Sequence, residues 1–181
     1  IADKGYVNWA HRNGYKVWGL VTDNFDKKIS HSILSSTENR EYVIKQLLAY
    51  VSMYDLDGIN IDFESVPTED GDNFIQFLRE LSPALRAEGA VLSVDVFVPK
   101  PWTAHYNRNE VGKIVDYVIV MGYDEHYAGS ESAGSVASMS WSNIAIKDTL
   151  AEGVPKEKLI LGIPFYCRLW TVTLESGKIE L

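Results

Sequence analysis

The sequence predicts an α/β fold with a parallel sheet, forming part of a (β/α)8 TIM barrel, and three observations support this. Apolar stretches with strand-like and helix-like spacing alternate along the chain, which favours parallel strands joined by right-handed helical crossovers. No glycine-rich phosphate loop follows any strand-like stretch, so the usual mark of an open nucleotide-binding sheet is missing. Polar residues gather at the predicted carboxyl ends of the strands, where barrels build their active sites.

The first third of the chain predicts an opening helix, a strand, a second helix and a second strand. Residues 16–21 (KVWGLV) form a short apolar run typical of a buried strand. Thr37 is the predicted N-cap of the next helix, whose apolar residues recur at helical spacing at Val43, Ile44, Leu47, Leu48 and Val51. The strand after it covers residues 58–64.

The rest of the chain continues the alternation. A helix over 68–89 should end at Gly89, and Pro83 should bend or interrupt it. The later elements, in chain order, are a strand over 91–98, a short helix over 110–114, a strand over 116–123, a helix over 142–152 and a strand over 159–165.

Five strands cannot close an eight-stranded barrel. We therefore interpret residues 1–181 as part of a larger catalytic domain, with barrel elements missing at both ends of this sequence. The stretch from about 170 to 181 is expected to begin an inserted hairpin or to form an exposed tail.

The stretch DGINIDFE, residues 57–64, alternates polar and apolar side chains. Asn60, Asp62 and Glu64 share one face of a strand, because residues two apart point the same way. An edge strand with one wet face would also give this pattern. In a barrel, however, one strand face meets the helices and the other meets the interior, so we expect these three side chains to point inward. Asp57 has the opposite parity and is expected to make a structural hydrogen bond.

Composition excludes several classes of function. The net charge of -8 disfavours nucleic acid or an anionic membrane as a partner, and no apolar run is long enough to span a membrane. The converging oxygen ligands that a divalent cation requires are not evident, so neither metal nor cofactor is expected.

The opening residues lack the basic-then-apolar order of a signal peptide, although secretion stays open. Cys167 is the only cysteine and is expected to be buried.

Three motifs together resemble glycoside hydrolase family 18, the chitinase and N-acetylglucosaminidase family. The matches to its motifs Asp-Gly-x-Asp-x-Asp-x-Glu and Met-x-Tyr-Asp are Asp57, Gly58, Asp62, Glu64, Met121, Tyr123 and Asp124. Residues 161–170 (LGIPFYCRLW) resemble its seventh strand, and 120–141 resemble its bacterial cell-wall and spore-associated branch. The resemblance implies that this chain holds strands three to seven, without the eighth strand and its tryptophan. Asn60 stands where the family usually has aspartate.

The resemblance implies retaining, substrate-assisted hydrolysis of β-1,4 N-acetylglucosaminide bonds in chitin-type oligosaccharides or peptidoglycan. Glu64 would be the general acid and then base, Asp62 would hold the acetamido N–H, and Tyr123 would donate to the acetamido oxygen. Asn60 is expected to hydrogen-bond Asp62. The implied substrate contacts are Asn60, Asp124, Met121, Tyr166 and Arg168.

Several alternatives remain open at this point. Asp124 binds sugar hydroxyls or pairs with another loop, Tyr166 and Arg168 line a sugar groove or simply pack, and the same choice applies to Trp102, Trp141 and Trp170. His105 and His126 are expected to be structural or surface groups.

The whole chain also has a rival reading, a catalytically silent carbohydrate-binding barrel. Silent relatives usually lose the acid glutamate, so the presence of Glu64, with Asp62 and Tyr123, favours the enzyme. The expected location is extracellular, in the cell envelope or on the spore surface. Chitin and peptidoglycan both remain open as substrates, and so do endo and exo cleavage.

Overall fold

A computed structural model describes residues 3–172 and 179–180 of the chain. The strands are β1 (Trp18–Thr22), β2 (Gly58–Asp62), β3 (Val91–Phe97), β4 (Tyr117–Met121), β5 (Leu159–Gly162), β6 (Thr171–Val172) and β7 (Ile179–Glu180). The helices are α1 (Lys4–Arg12), α2 (Lys27–Leu34), α3 (Thr37–Tyr54), α4 (Gly71–Ala87), α5 (Arg108–Ile114) and α6 (Met139–Ala151), with 3-10 turns at Thr68–Asp70 and Pro101–Tyr106.

The main sheet is parallel, and its strands lie in the order β1-β2-β3-β4-β5. Every strand therefore pairs with its neighbour along the chain. A doubly wound sheet reverses its strand order at a switch point, whereas a barrel runs in sequence around its axis. The predicted fold class, a parallel α/β sheet that corresponds to part of a (β/α)8 barrel, is confirmed.

The core lies between this sheet and the helices. Ile59, Ile61 and Phe63 are buried, and the Phe63 ring stacks on Phe77 of α4 with centroids 5.9 Å apart. The predicted assignment of the apolar face of residues 58–64 to the helical layer is thus confirmed. The opposite face carries the polar side chains, so β2 delivers them to the inner surface of the sheet.

Two local predictions were wrong, and a third was wrong in one of its two alternatives. Ser36, not Thr37, is the N-cap of α3, since its side chain accepts a hydrogen bond from the amide of Asn39. Pro83 does not interrupt α4, which was one of its two predicted effects. Buried leucines on both sides, such as Leu81 and Leu85, offset the loss of one backbone hydrogen bond. Cys167 is exposed rather than buried.

Two elements escaped sequence analysis. Helix α2 has only eight residues, of which Ser30 and Leu34 are buried, so it is too short to show a clear helical period. The 3-10 turn Pro101–Tyr106 is shorter still, with six residues. Both lie just beyond the carboxyl end of a strand, at the edge of the sheet where the polar residues gather.

The final strands β6 and β7 pair antiparallel, with Thr171 opposite Glu180. This pairing agrees with the hairpin alternative for the stretch beginning near residue 170, although residues 173–178 of that prediction lie outside the described part of the chain. No helix among residues 3–172 is long and apolar enough to cross a membrane.

Candidate active site

The predicted inward face of β2 carries its polar side chains into one shared cluster. Asn60 is buried, while Asp62 and Glu64 are half-buried. The next strand adds Asp95, and Tyr123 follows the end of β4. Because the strands are parallel and in register, their carboxyl ends bring these groups to the same rim, as the sequence predicted.

Asn60 binds the neighbouring strand. Its side-chain amide donates to Ser93 Oγ at 3.0 Å and to Asp95 Oδ1 at 3.3 Å. The expected hydrogen bond from Asn60 to Asp62 is not among those of the described residues, so this prediction was wrong. The parallel register places Asn60 opposite Ser93, and this lateral neighbour offers a shorter reach than Asp62 does, two residues along the strand.

The carboxyl groups of this cluster are held in an environment that favours protonation. Burial, followed by the charges of Asp62, Asp23, Asp95 and Asp124, raises the pKa of Glu64 to about 7. Burial and the Asp23 charge raise the pKa of Asp62. Burial also raises the pKa of Asp95 to about 6, although the hydrogen bond from Asn60 opposes this shift. A carboxyl group with a pKa near neutrality is suited to general acid–base chemistry.

Asp62 retains one unused acceptor. Its Oδ1 atom is buried and has no hydrogen-bond partner among the described residues. A buried acceptor without a partner costs free energy, and it is satisfied when a ligand brings an N–H or O–H group to it. This atom is therefore a candidate contact for a bound molecule.

Tyr123 is half-buried beside the carboxyl groups. Burial, followed by the charges of Asp95, Glu64 and Asp62, raises the pKa of Tyr123 to about 12. The hydroxyl group therefore stays protonated at neutral pH and is available as a hydrogen-bond donor.

A cleft of about 340 Å³ opens beside Glu64. Its walls combine polar groups with aromatic rings and are formed by Glu64, Phe97, Val98, Lys100, Trp102, Thr103, Met121, Tyr123, Asp124, Glu125, Tyr127 and Trp141. Trp102 is 73% exposed and offers a broad apolar face. Trp141 is fixed, because its Nε1–H donates to the Tyr123 carbonyl at 3.2 Å and the Lys100 ammonium lies 5.1 Å from its ring. This mixture of aromatic faces and polar groups is typical of a ligand site.

Asp124 lies at the far end of the predicted site in a left-handed backbone conformation, with φ of 54°. It accepts hydrogen bonds from the Tyr166 hydroxyl at 2.8 Å and from the Arg168 guanidinium. Asp124 therefore pairs with another loop, the second of its two predicted roles, although it also lines the cleft. Tyr166 and Arg168 bind Asp124 and do not line the cleft; the Tyr166 ring meets Tyr123 edge to face.

Asp57 makes the structural contacts that its parity predicted. Its carboxylate accepts from the amide of Val17 at 2.8 Å, from His11 at 2.9 Å and from Lys16 at 3.1 Å. These bonds join the start of β2 to helix α1 and to the two residues before β1. The prediction of a structural role for Asp57 is confirmed.

The remaining predicted groups divide between the cleft and the surrounding frame. His105 and His126 bond to the carbonyl groups of Val66 and Ser135, which agrees with the structural role expected of both. Trp170 donates to the Gly134 carbonyl at 3.0 Å. Trp102 and Trp141 lie at the cleft, and Trp170 does not.

Sequence analysis missed one buried carboxylate near the site. Asp23 follows β1 directly and is fully buried, and its charge raises the pKa of both Glu64 and Asp62. The available signal was its position as the first acidic residue after a predicted barrel strand. Asp95 was noticed at the same rim without being given a role.

Comparison with known proteins supports one family. The model described as "Glycosyl hydrolases family 18" matches residues 11–179. YdhD of Bacillus subtilis, named as a sporulation-specific glycosylase, is 34% identical over 90% of this chain. Its crystal structure superimposes with a TM-score of 0.85 at 31% identity, covering 92% of this chain and 57% of that one.

Two further crystal structures are similar. The spore cortex-lytic enzyme SleL of Bacillus cereus matches 88% of this chain and 38% of its own, with a TM-score of 0.79 at 25% identity. A chitinase from Chromobacterium violaceum matches 91% of this chain and 54% of its own, with a TM-score of 0.81 at 26% identity. The chain spans 39% of the length of YdhD and 51% of that of a second B. subtilis glycosylase, YvbX.

Proposed function

This chain belongs to glycosyl hydrolases family 18, and we propose on that basis that it forms part of a catalytic domain which hydrolyses β-1,4 N-acetylglucosaminide bonds. We use the term complete domain for a protein that contains this chain together with the remaining strands of the barrel. The observation that carries the proposal is the half-buried Glu64, whose pKa is raised to about 7 at the edge of an aromatic cleft.

Glu64 is the proposed general acid. A carboxyl group with a pKa near 7 is still substantially protonated at neutral pH, so it can give its proton to the departing glycosidic oxygen. The resulting carboxylate can then accept a proton from the incoming water. Glycosidases of the ordinary type use a second carboxylate as base or nucleophile, and substrate-assisted enzymes of this family are an exception.

Asp62 is proposed to hold the 2-acetamido group of the substrate. Its Oδ1 acceptor has no partner among the described residues, so the acetamido N–H would satisfy it. That contact aims the acetamido oxygen at the anomeric carbon, and the carboxylate charge then stabilises the positive oxazolinium intermediate.

Tyr123 is proposed to donate its hydroxyl proton in a hydrogen bond to the acetamido oxygen. The raised pKa of Tyr123 keeps that donor protonated. Because the nucleophile is part of the substrate, it attacks without a diffusional step, an advantage worth several kcal/mol, up to ~11 in the best model systems. The anomeric configuration is retained, because two inversions at the same carbon cancel.

Chitin-type oligosaccharides and peptidoglycan glycan are both candidate substrates. A chitinase and a spore cortex-lytic enzyme are among the similar structures, and each name supports one of the two. The aromatic rings of Trp102, Tyr127 and Trp141 line the cleft and suit the faces of pyranose rings. Relatives named for sporulation and spore cortex lysis support a location outside the cell or at the spore surface.

The test is proton NMR of an N-acetylglucosamine tetramer incubated with the complete domain, with Glu64→Gln as the matched variant. Early release of the β-anomer by the parent, and none by the variant, is the expected result. Early α-anomer would contradict the acetamido mechanism. Peptidoglycan fragments serve as the second substrate.

The rival proposal is a silent carbohydrate-binding barrel. The exposed Trp102 beside the cleft would serve binding alone. Calorimetric binding of both glycans without cleavage of either would favour this alternative.

A further inference from the structure

Asp23 is a fully buried carboxylate that the proposed chemistry does not use. It lies directly after β1 and has 0% exposure. A buried carboxylate is costly unless hydrogen bonds compensate for its lost hydration. Its partners therefore indicate why the fold keeps it there.

Those partners come from three separate segments. Asp23 Oδ2 accepts hydrogen bonds from Ser30 Oγ at 2.6 Å and from the backbone amide of Ser65 at 2.7 Å, and Oδ1 accepts from the amide of Phe25 at 3.0 Å. Ser30 lies on α2 and Ser65 follows β2. The single side chain thus joins the end of β1, helix α2 and the segment after β2.

The bond to Ser65 acts next to the proposed general acid. The amide of Ser65 and the carbonyl of Glu64 form one planar peptide unit. Holding that N–H fixes the plane, and with it the direction in which the Glu64 backbone leaves the strand. The next residue is held as well, because the Val66 amide donates to the Tyr106 hydroxyl at 3.3 Å and its carbonyl accepts from His105 at 3.0 Å.

We propose that Asp23 is a positioning residue, which fixes the peptide between Glu64 and Ser65 and so keeps the Glu64 side chain aimed into the cleft. This inference rests on the proposed function, because it gives Glu64 its catalytic role. Asp23 itself is hydrogen-bonded on both oxygens to protein groups, so it acts through Glu64.

The charge of Asp23 adds an effect that a neutral structural group would lack. It is one of the charges that raise the pKa of Glu64, so its removal lowers that pKa. Three other carboxylates also raise the pKa of Glu64, namely Asp62, Asp95 and Asp124. In turn, the charge of Glu64 contributes to the raised pKa of Tyr106 and of Tyr123. Asp23→Asn changes none of these side chains, so the charge that it removes from the surroundings of Glu64 is that of Asp23.

The decisive variant is Asp23→Asn in the complete domain, with Ser30→Ala as its matched control. Asparagine keeps the shape but presents an NH2 group to the donors on Ser30 and Ser65, or to Phe25 if the amide is reversed. We expect kcat to fall by about 10- to 100-fold with little change in KM, as for a misplaced catalytic group. Activity should also decline at a lower pH in Asp23→Asn than in the parent when the pH is raised. Ser30→Ala removes one hydrogen bond but leaves both the charge and the Ser65 contact, so its kcat and pH profile should stay close to those of the parent.

Two readouts do not require activity. Carbon-13 NMR should show the Glu64 carboxyl group titrating at lower pH in Asp23→Asn than in the parent, and hydrogen exchange should show a faster-exchanging Ser65 amide. A folded Asp23→Asn variant with unchanged kcat, Glu64 titration and Ser65 exchange would overturn the proposal and leave Asp23 a structural cap.

The parent protein provides a test even when Asp23→Asn does not fold. Its Ser65 amide should exchange as slowly as the amides inside β2, and rapid exchange there would by itself overturn the inference. A parent that cleaves no glycan, but whose Ser65 exchange and Glu64 titration respond to Asp23→Asn, would refute the proposed function while the contact between Asp23 and the Glu64 segment stands.

Discussion

Asn60 donates its side-chain amide to Asp95 on the neighbouring strand, with 3.3 Å between Nδ2 and Oδ1. This bond opposes the rise in the pKa of Asp95 that burial causes. A neutral donor therefore lies among the carboxyl groups at a position where the family usually has aspartate. The pair links the two central strands of the site and limits the negative charge between them.

Replacing this donor with a carboxyl group tests the arrangement. Asn60→Asp loses the amide that donates to Ser93 and Asp95, and it adds a possible negative charge on the inner face of β2. We expect the pKa of Asp95 and of Glu64 to rise, since like charges disfavour ionisation. NMR titration of the carboxyl groups measures this, with Asn60→Ser as the neutral control; an unchanged Glu64 titration in Asn60→Asp would contradict the prediction.

Removal of the proposed acid should abolish most catalysis without unfolding the protein. Glu64→Gln keeps the side-chain volume but cannot transfer a proton, so we expect kcat to fall by about 100- to 10,000-fold. Steady-state hydrolysis of a glycoside with a poor leaving group measures the effect. For a substrate whose leaving group needs no proton, kcat should fall less in the same variant. An equal fall in kcat for both substrates would contradict the role of Glu64 as acid.

The pH dependence follows from the raised pKa of Glu64. As general acid, Glu64 must be protonated when the glycosidic bond breaks, so activity should decline as the pH rises through about 7. A profile of kcat/KM against pH in the complete domain measures this limb. Activity that rises through the same range would indicate that Glu64 works first as a base.

Arg108 should be a major source of stability. Its side chain has 0% exposure, and it donates to the Phe97 carbonyl, to the Thr103 carbonyl and hydroxyl, and to Glu152. Arg108→Met leaves these acceptors without their donor, and we expect a loss of about 3–5 kcal/mol in the free energy of unfolding. Urea unfolding measures it. Arg79→Met, which removes an exposed ion pair with Glu110, is the control and should cost far less, because exposed ion pairs contribute little to stability.

Asp57 should make stability depend on pH on the acid side. Burial acts to raise its pKa, but the Val17 amide, His11 and Lys16 together outweigh burial and lower it below the ordinary value of 3.8. A lowered folded-state pKa gives stability that is complete above 3.8 and is lost as the pH falls through the folded-state value. Thermal unfolding between pH 2 and pH 6 should show this loss in the parent and a smaller loss in Asp57→Asn. Equal slopes would contradict it.

The sequence by itself determined the parallel α/β class and the two faces of residues 58–64. Both follow from periodicity: a strand sends alternate side chains to opposite faces, so Glu64 and Asp62 had to share a face that Ile61 could not. The three motifs that resemble the family are also short stretches of sequence, so the resemblance could be seen before any tertiary contact was known. Asp57 was placed in a structural role by parity alone.

Only the tertiary structure decided which polar groups meet across the sheet. Asn60 binds Asp95, 35 residues away, and Asp23 binds Ser65, 42 residues away, in place of nearer neighbours along the chain. Such partners depend on the register between strands and on how α2 packs at the end of β1, which are set by burial of the whole core rather than by local pattern. The carboxyl groups acquire their shifted pKa values for the same reason, because burial and neighbouring charges exist only after the strands have assembled.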